Sequence, residues 1–397
     1  MRVSKCYTNI VYNCQNEEHT ENNRQFQAMA TIAITKGGRI FTSWETGGFT
    51  EPHPDQFIVV KYSDDDGKTW SDDLFHIETK IVDDKLIFVA DSCLWVDPEG
   101  KLHLYWTQED VNKDDEFFEV QHFKPSKLEN CYSDCSIQGW IWGDDTVGCT
   151  WEMVCDDPDA EEIVFGEPHY AFDYGMINKP LVTKSGRWIF SKYRLDLKVH
   201  FAYSDDKGKT YTEIEPICDK TYQDVEPCLF EKEDGTLVCI WRAPQYLRVN
   251  YSYDNGETWT PIENTDIETC FSKACVLKLP DGRVFLVNND DQKDRIRLSF
   301  YVSEDEGKTW EKCWLDPRWH VQYPDIDYHN GFVYVVYDRE RFRKRQIMFA
   351  KINVSEIPHP KSIVELKPIS SPQAPLGKNF MPLMEVYGLN KLFEFDR

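Results

Sequence analysis

The chain has 397 residues, a formal net charge of −24 at pH 7 and a pI of about 4.8. An acidic surface repels nucleic acid and anionic membranes, which argues against both as partners. No apolar run approaches the roughly 18 residues of a membrane span, and residues 1–14 lack the apolar core of a signal peptide. The 13 cysteines show no disulfide-framework spacing and indicate reduced thiols, so we expect a cytoplasmic protein.

An eight-residue pattern, S-x-D-x-G-x-T-[WY], recurs along the chain and marks a repeated structural unit. It occupies residues 63–70, 204–211, 252–259 and 303–310. Asp and Gly favour a tight turn, because Asp bonds nearby backbone amides and Gly tolerates positive φ. The pattern therefore predicts a β-hairpin turn with an aromatic ring packed beneath it.

A second repeat indicates how many of these structural units the chain contains. β-rich runs follow a glycine turn six times, at Gly38, Gly100, Gly186, Gly235, Gly282 and Gly331. Most of these glycines are also preceded by an apolar run, and strand–turn–strand is a strong hairpin signal. The sequence therefore predicts an all-β fold, a six-bladed β-propeller of four-stranded antiparallel blades.

We expect one domain over residues 1–397, since a propeller can use the whole chain. Residues 1–23 are predicted to supply a strand that closes the ring. The acidic segment 128–171 is predicted to be an insertion between blades two and three. The proline-rich tail, residues 358–397, should be extended.

One group of cysteines lies in or near this insertion: Cys131, Cys135, Cys149 and Cys155. Their C-x3-C and C-x5-C spacings are wider than the close pairs typical of zinc sites, which favours free thiols. We therefore expect no metal and no other cofactor.

Blade geometry predicts where a site lies. The first strand's start and the second strand's end share one face of the propeller, opposite the repeated turns, whose aspartates are then structural. The residues predicted at this face include Gln27, Asp91, Trp106, Lys179, Glu226, Arg242, Tyr323, Asp325 and Arg339. Desolvating so many ionisable groups costs energy, which points to a functional polar pocket.

At these residues the chain resembles the Asp-box (BNR repeat) sialidase-like family, over about residues 24–355. The family motif E-P-x-x-x-E-x-x-D-G-x-L-x-x-x-x-R matches from Glu226 to Arg242. Tyr323 matches a tyrosine before the last hairpin, and Arg295 or Arg297 matches an arginine before the last Asp-box. The resemblance implies a retaining hydrolase.

The resemblance also implies residue roles. Tyr323 would be the nucleophile and Glu226 its base, because a carboxylate nucleophile would be repelled by the acidic sugar. Arg242 and Arg295 would hold the substrate carboxylate.

Two family positions differ in this chain. The family's F-R-I-P motif is replaced by Phe26 followed by Gln27, and the nearest arginine is Arg24. The candidates for the acid/base residue are Glu51, His53, Asp55 and Asp91.

The leading hypothesis is an exo-acting glycosidase that releases a terminal acidic sugar from a small glycan. An alternative is a lyase acting at a uronic acid, with His53, Lys179 and Tyr323 as its groups. A second alternative is a non-catalytic glycan-binding propeller that uses Trp106 and Tyr193. In the basic run 339–345, Arg339 is predicted at the pocket, and Arg343 and Arg345 in solvent.

Overall fold

The structure is a computed structural model that describes residues 9–12, 14, 16–48, 53–83, 85–113, 140–141, 148–193, 199–214, 225–341, 343–357 and 364–373. The described residues form six antiparallel sheets, which confirms the predicted all-β propeller and its six blades. No helix within these ranges is long and apolar enough to cross a membrane.

Strands are numbered in chain order, and each blade uses a continuous stretch of the chain. Blade one contains β1 (Ile10–Val11), β2 (Phe26–Ile34), β3 (Ile40–Gly47), β4 (Phe57–Ser63) and β5 (Phe75–Glu78). Blade two contains β6 (Lys80–Val82), β7 (Lys85–Val96), β8 (Leu102–Lys113), β9 (Trp140–Ile141), β10 (Gly148–Cys155) and β11 (His169–Asp173). Blade three contains β12 (Leu181–Val182), β13 (Trp188–Tyr193), β14 (Val199–Ser204) and β15 (Thr212–Ile214).

The last three blades each have four strands in simple meander order. Blade four contains β16 (Val225–Glu231), β17 (Leu237–Arg242), β18 (Pro244–Ser252) and β19 (Glu263–Cys270). Blade five contains β20 (Cys275–Lys278), β21 (Val284–Asn289), β22 (Ile296–Ser303) and β23 (Glu311–Trp319). Blade six contains β24 (Val321–His329), β25 (Phe332–Arg339), β26 (Gln346–Asn353) and β27 (Val364–Ser370). Short 3-10 turns lie at Glu17–His19, Glu21–Asn23 and Val354–Glu356.

The repeated turns use their aspartates locally. In the first turn, Asp65 accepts hydrogen bonds from the backbone N–H of Thr69 at 2.8 Å and from its hydroxyl at 2.7 Å. These bonds lower the pKa of Asp65 to about 2. The same pair of bonds recurs in the other three turns, at Asp206, Asp254 and Asp305. These carboxylates therefore stabilise turns.

Blade six joins blade one through buried carboxylates. Asp325 accepts hydrogen bonds from the Thr31 hydroxyl at 2.8 Å and from the Ile32 backbone N–H at 2.9 Å. Asp327, on the same strand, accepts the Ile34 N–H at 2.9 Å. The first strands of the two end blades are thus held together by side chain to backbone bonds, which close the ring.

Lys179 completes this closure from blade three. Its Nζ lies 3.4 Å from Asp325 and 3.7 Å from Asp327, and it donates to the Ile326 carbonyl at 2.5 Å. Burial alone would lower the pKa of Lys179, but the two carboxylates outweigh it and the pKa is raised. Lys179 and Asp325, which the sequence predicted as substrate-binding, instead bond to each other and to the ring closure.

These three charges line the central channel. The cavity has a volume of about 480 Å³ and also contacts Lys184, Glu233 and Lys278 at the first-hairpin end of the blades. It therefore opens towards the face opposite the predicted site.

Two boundary predictions need correction. β10 lies within 128–171 and β11 begins there, yet β10 pairs with β8 and β11 with β10, so they complete blade two. β1 adds to the outer edge of blade one by pairing with β5 and does not link the ends of the ring. Within the predicted tail, β27 is the outer strand of blade six. Long connections hid these strand partners from a reading by repeat spacing.

Candidate functional site

Four strands share the same irregularity near the predicted site: β2, β7, β16 and β24. Pairing with the second strand shifts register after Ala28, Ala90, Val225 and Gln322. The next residue is left-handed in each case: φ is 57° at Met29, 49° at Asp91, 48° at Glu226 and 53° at Tyr323. Non-glycine residues rarely adopt this conformation, which costs on the order of 1–3 kcal/mol. Such bulges redirect side chains and often occur beside active sites.

Buried side chains hold two of these bulges in place. Asn178 donates to the carbonyls of Glu226 and Pro227 at 3.0 and 3.1 Å. Lys273 donates to the carbonyl of Pro324, directly after Tyr323, at 2.9 Å. Both donors are buried, so the backbone of each bulge is fixed by the blade that precedes it.

The two bulges bring Tyr323 and Glu226 together with Arg242. Arg242 Nη1 lies 2.5 Å from Glu226 Oε1 and 2.6 Å from the Tyr323 hydroxyl. The hydroxyl itself lies 3.3 Å from the same carboxylate oxygen. Since Tyr323 is only 2% exposed, this group is removed from bulk water.

The electrostatics of the group keep the tyrosine neutral at rest. Burial raises the pKa of the Tyr323 hydroxyl well above its ordinary value, although Arg242 acts in the opposite direction. Glu226 Oε2 is buried and has no hydrogen-bond partner among the described residues. The carboxylate can therefore accept the hydroxyl proton, and Arg242 can stabilise the phenolate that results.

Three guanidinium groups surround the Tyr323 ring. The central guanidinium carbons of Arg242, Arg295 and Arg341 lie 5.6, 5.2 and 4.8 Å from the ring centre. Burial, with Arg295 and Arg341 nearby, lowers the pKa of His320 to about 3, so this neighbour adds no charge at neutral pH. The cations are positioned to hold an anion beside the hydroxyl.

Arg341 is a candidate site residue that the sequence analysis missed. It donates to both carboxylate oxygens of Asp338, at 2.8 and 3.3 Å, and it is buried. Asp338 also accepts from Gln322 at 2.8 Å, and Gln322 accepts from Arg295 at 2.6 Å. One polar chain therefore orients two of the three arginines, and Arg341 supplies a cation that residue 27 does not.

Neighbouring arginines in the same run have other contacts. Arg339 donates to Gln346 at 3.0 Å and pairs with Glu340 at 3.1 Å. Arg345 is buried and donates to the carbonyl of Arg24 at 2.8 Å, so its predicted solvent position is wrong. The backbone path of this short loop decides which arginine side chain enters the site. That path cannot be inferred from a run of basic residues in the sequence.

Two residues predicted to bind substrate, Arg24 and Gln27, bond within the protein. Arg24 is fully buried, pairs with Asp73 and lies over the rings of Trp44 and Phe57. Gln27 accepts from Trp44 at 2.8 Å and donates to the Arg345 carbonyl at 2.5 Å. The Gln27 amide is thus bonded through both its nitrogen and its oxygen, and Arg24 is bonded through Nε and Nη2.

Trp106 also belongs to the core. It is 0% exposed, stacks near Trp151 at a centroid distance of 6.4 Å and donates to Gln108 at 3.2 Å. Its strand, β8, is paired with β10, which places Trp151 opposite Trp106. The repeat spacing had not revealed this pairing. A ring with no accessible face cannot stack on a sugar.

The acid/base candidates differ in their environments. Asp91 occupies the bulge position of blade two and is 7% exposed. His53 is also buried, accepts the Asp55 backbone N–H at 3.0 Å, and has its pKa lowered to about 4 by burial. Glu51 lies outside the described residues. His53 is therefore neutral at pH 7 and cannot donate a proton as an imidazolium there.

Comparisons with known proteins agree with this fold. A model of the BNR repeat-like domain matches residues 38–335. The class of protein is thus a BNR-repeat β-propeller, and the chain belongs to the sialidase-like BNR family.

One curated relative is a sialidase from Paraclostridium sordellii. It is 31% identical over 151 residues, covering 32% of this chain and 36% of the relative. The match therefore spans about a third of that sialidase's length.

Solved structures share the fold at low identity. A Dyadobacter fermentans protein of unknown function is 18% identical, with a TM-score of 0.59, over 84% of this chain and 93% of that one. A Streptococcus pneumoniae sialidase is 16% identical, with a TM-score of 0.58, over 83% and 67%. A leech intramolecular trans-sialidase is 15% identical, with a TM-score of 0.62, over 87% and 70%.

The environment of His53 can be tested through its pKa. A Cβ at Gly48 would lie 2.0 Å from His53 ring atoms, so Gly48→Ala should displace the ring into solvent. Loss of burial should then raise the pKa of His53 from about 4 towards its ordinary value of 6.5. An NMR pH titration of the histidine ring signals measures both midpoints. In the control Gly166→Ala, where the nearest atom is 3.4 Å away, the midpoint should not move; equal midpoints in both variants would contradict the assignment.

Proposed function

We propose that this protein is a glycoside hydrolase of the sialidase type that releases a terminal acidic sugar from a small glycan. The observation that carries the proposal is the buried Tyr323–Glu226 pair, bridged by Arg242 and surrounded by two further arginines. The composition argument for a cytoplasmic location stands beside this proposal as an expectation.

A tyrosine suits a substrate whose reacting carbon bears a carboxylate. An aspartate or glutamate nucleophile would approach that carboxylate against like-charge repulsion, whereas a neutral phenol would not. In the proposed step, Glu226 takes the proton from the Tyr323 hydroxyl. At the same time the Tyr323 oxygen bonds to the sugar carbon and the leaving oxygen departs. Water then cleaves the sugar–tyrosine bond, which restores the phenol and retains configuration.

The charge around Tyr323 favours an anionic substrate. Arg242, Arg295 and Arg341 bring three positive charges, and Glu226 and Asp338 bring two negative ones. This excess positive charge lies in a protein whose net charge is −24, so it is a local feature of the site. Guanidinium groups bind carboxylates through paired, charge-assisted hydrogen bonds. A sugar carboxylate is the anion that we assign to this cluster.

Asp91 is our candidate for the general acid. It has the same bulge position as Tyr323 and Glu226, so its backbone is arranged in the same way at the first strand of its blade. His53 is uncharged at neutral pH, which removes the competing imidazolium. In its acid form Asp91 would protonate the leaving oxygen, and as a carboxylate it would then activate water.

The contacts of the described residues give less support to the alternatives. The lyase hypothesis requires Lys179 beside the substrate, but Lys179 is bonded to Asp325, Asp327 and the Ile326 carbonyl. The glycan-binding hypothesis used Trp106 and Tyr193, and of these Trp106 is fully buried. Both remain distinguishable outcomes of a product analysis.

The proposal predicts that Tyr323→Phe abolishes turnover. A panel of sialyl and uronyl oligosaccharides should be cleaved by the unchanged protein with the mass gain of one water. Tyr323→Phe should lose at least about 10³-fold in kcat/KM, because the nucleophilic oxygen is gone while the ring packing stays. Tyr334→Phe, which removes a buried hydroxyl that bonds Asp66 at 2.8 Å, is the matched control. Retained hydrolysis in Tyr323→Phe would contradict the mechanism, and an unsaturated uronate product would establish the lyase.

A general acid has a specific kinetic signature. Asp91→Asn should lose about 10²-fold or more in kcat/KM on alkyl glycosides, whose leaving groups need a proton. On nitrophenyl glycosides, whose nitrophenolate leaving group departs without protonation, the loss in kcat/KM should be below about 10-fold. Initial rates on the two substrate series measure the difference, and an equal loss on both would exclude Asp91 as the acid.

Arg341 should determine recognition of the carboxylate. Arg341→Met removes a charge-assisted contact of roughly 1.5–3 kcal/mol, which corresponds to a KM about 10- to 100-fold higher. A substrate analogue with a carboxamide in place of the carboxylate should show a much smaller change. Arg343→Met is the control, because that half-exposed side chain pairs with Glu340 at 3.6 Å. Equal effects on the acid and the amide would show that Arg341 does not contact the carboxylate.

A further inference from the structure

A cluster of metal-ligating side chains lies on the outer edge of blade one. Cys14 and His19 precede β2, and His76 and Glu78 belong to β5. β1 pairs with β5, with Val11 opposite His76, which brings the two segments together. Strand pairing therefore brings together two pairs of ligands that are more than fifty residues apart along the chain.

The spacing of the donor atoms resembles that of a tetrahedral site. Cys14 Sγ lies 3.7 Å from His19 Nδ1 and 3.8 Å from Glu78 Oε1, and these last two atoms are 3.3 Å apart. All four donor atoms, with that of His76, lie within 4.8 Å of one another. Zinc bonds of about 2.0–2.3 Å in tetrahedral geometry place neighbouring ligand atoms about 3.3–3.6 Å apart. Three edges of the site are thus close to their bound lengths.

His76 gives the second, independent sign of a ligand. It is 3% exposed, and its Nδ1 is buried without a hydrogen-bond partner in the described part of the chain. Its other nitrogen, Nε2, bonds Asp73 Oδ2 at 2.8 Å. A carboxylate on one ring nitrogen fixes the tautomer that leaves the other nitrogen unprotonated, as in many zinc sites.

The surroundings keep these groups ready to bind a cation. Asp73, which bonds His76, is itself paired with Arg24 and lies 3.5 Å from Lys61 Nζ, so its carboxylate is held in place beside the ring. The rings of His19 and His76 pack against Phe57 at centroid distances of 4.5 and 4.4 Å, which limits their rotation.

We propose that Cys14, His19, His76 and Glu78 bind one zinc ion. The donor set of one sulfur, two imidazole nitrogens and one carboxylate suits Zn²⁺, and with Cys14 as thiolate and Glu78 as carboxylate the site is electrically neutral. Binding releases the Cys14 thiol proton to solvent. Four protein ligands leave no open position, so the ion has a structural role. This departs from the expectation of no metal, which rested on cysteine spacing and could not see ligands joined by strand pairing.

The ion would tie the segment before β2 to the outer edge of blade one. His76 bonds Asp73, and Asp73 pairs with Arg24, which lies shortly before β2. The ion would thus hold the start of β2 and the edge strand β5 together. It is separate from Tyr323 and does not depend on the proposed function.

Metal analysis of the whole chain, purified without a histidine tag from zinc-containing medium, tests this proposal. Elemental analysis after gel filtration should find about one zinc per chain. Zinc lost by dialysis against a chelator should rebind, and Co²⁺ in its place should give visible tetrahedral bands with a thiolate-to-cobalt charge-transfer band. The melting temperature should fall when the metal is removed.

Two variants separate this site from adventitious binding. Cys14→Ser should remove the charge-transfer band and weaken zinc binding at least about 10-fold, and His76→Gln should abolish stoichiometric zinc. Cys313→Ser, a partly exposed thiol that bonds the Trp314 carbonyl, is the control and should behave like the unchanged protein. Circular dichroism checks that each variant is folded. A chain that retains no zinc, or a Cys14→Ser variant with unchanged zinc affinity and cobalt spectrum, would overturn the proposal.

Discussion

The candidate site depends on the closure of the ring between blades six and one. Asp325 and Asp327 bond the backbone and a side chain of β2, and Lys179 of blade three pairs with both carboxylates. Buried charges of this kind are costly when one partner is missing, so the closure is cooperative. It is also what places Tyr323 at hydrogen-bond distance from Arg242, a residue 81 positions earlier in the chain.

Ring closure and the candidate site use neighbouring residues on one strand. Tyr323 faces the site, whereas Asp325, two residues later, faces the channel and blade one. The bulge between Tyr323 and Asp325 changes the direction of their side chains, and Lys273 donates to the Pro324 carbonyl within that bulge. Any movement of the seam would therefore move Tyr323 relative to Glu226, so the bonds that stabilise the ring also fix the geometry of the candidate site.

Much of the fold and part of the site follow from local patterns. The repeated turns predicted the blades, because each Asp–Gly–Thr set makes the same short-range bonds wherever it occurs. Glu226 and Arg242 were found because they flank one hairpin, so their separation in sequence fixes their separation in space. Tyr323 was chosen through the family resemblance, and its hydroxyl lies 3.3 Å from Glu226 Oε1.

Other features depend on contacts between distant segments. Arg341 enters the site from a loop whose direction is set by Asp338, and neighbouring arginines in that loop turn elsewhere. Gln27 and Trp106 were predicted at the pocket because their strand positions are right, but the strands and segments that cover them come from far along the chain. The Cys14–Glu78 cluster arises in the same way, from β1 pairing with β5. Side-chain direction and coverage are tertiary properties, and spacing rules do not contain them.

The four left-handed positions have a consequence for how this family can diverge. Met29, Asp91, Glu226 and Tyr323 share one backbone conformation but differ in chemistry, and an unreactive Met is accommodated as readily as a Tyr. The blade therefore maintains the conformation whatever side chain it bears. Replacement at one of these positions would change which atoms face a ligand without rebuilding the backbone. Related propellers could in this way acquire new specificities, or lose activity altogether, through a few single-residue exchanges on an unaltered scaffold.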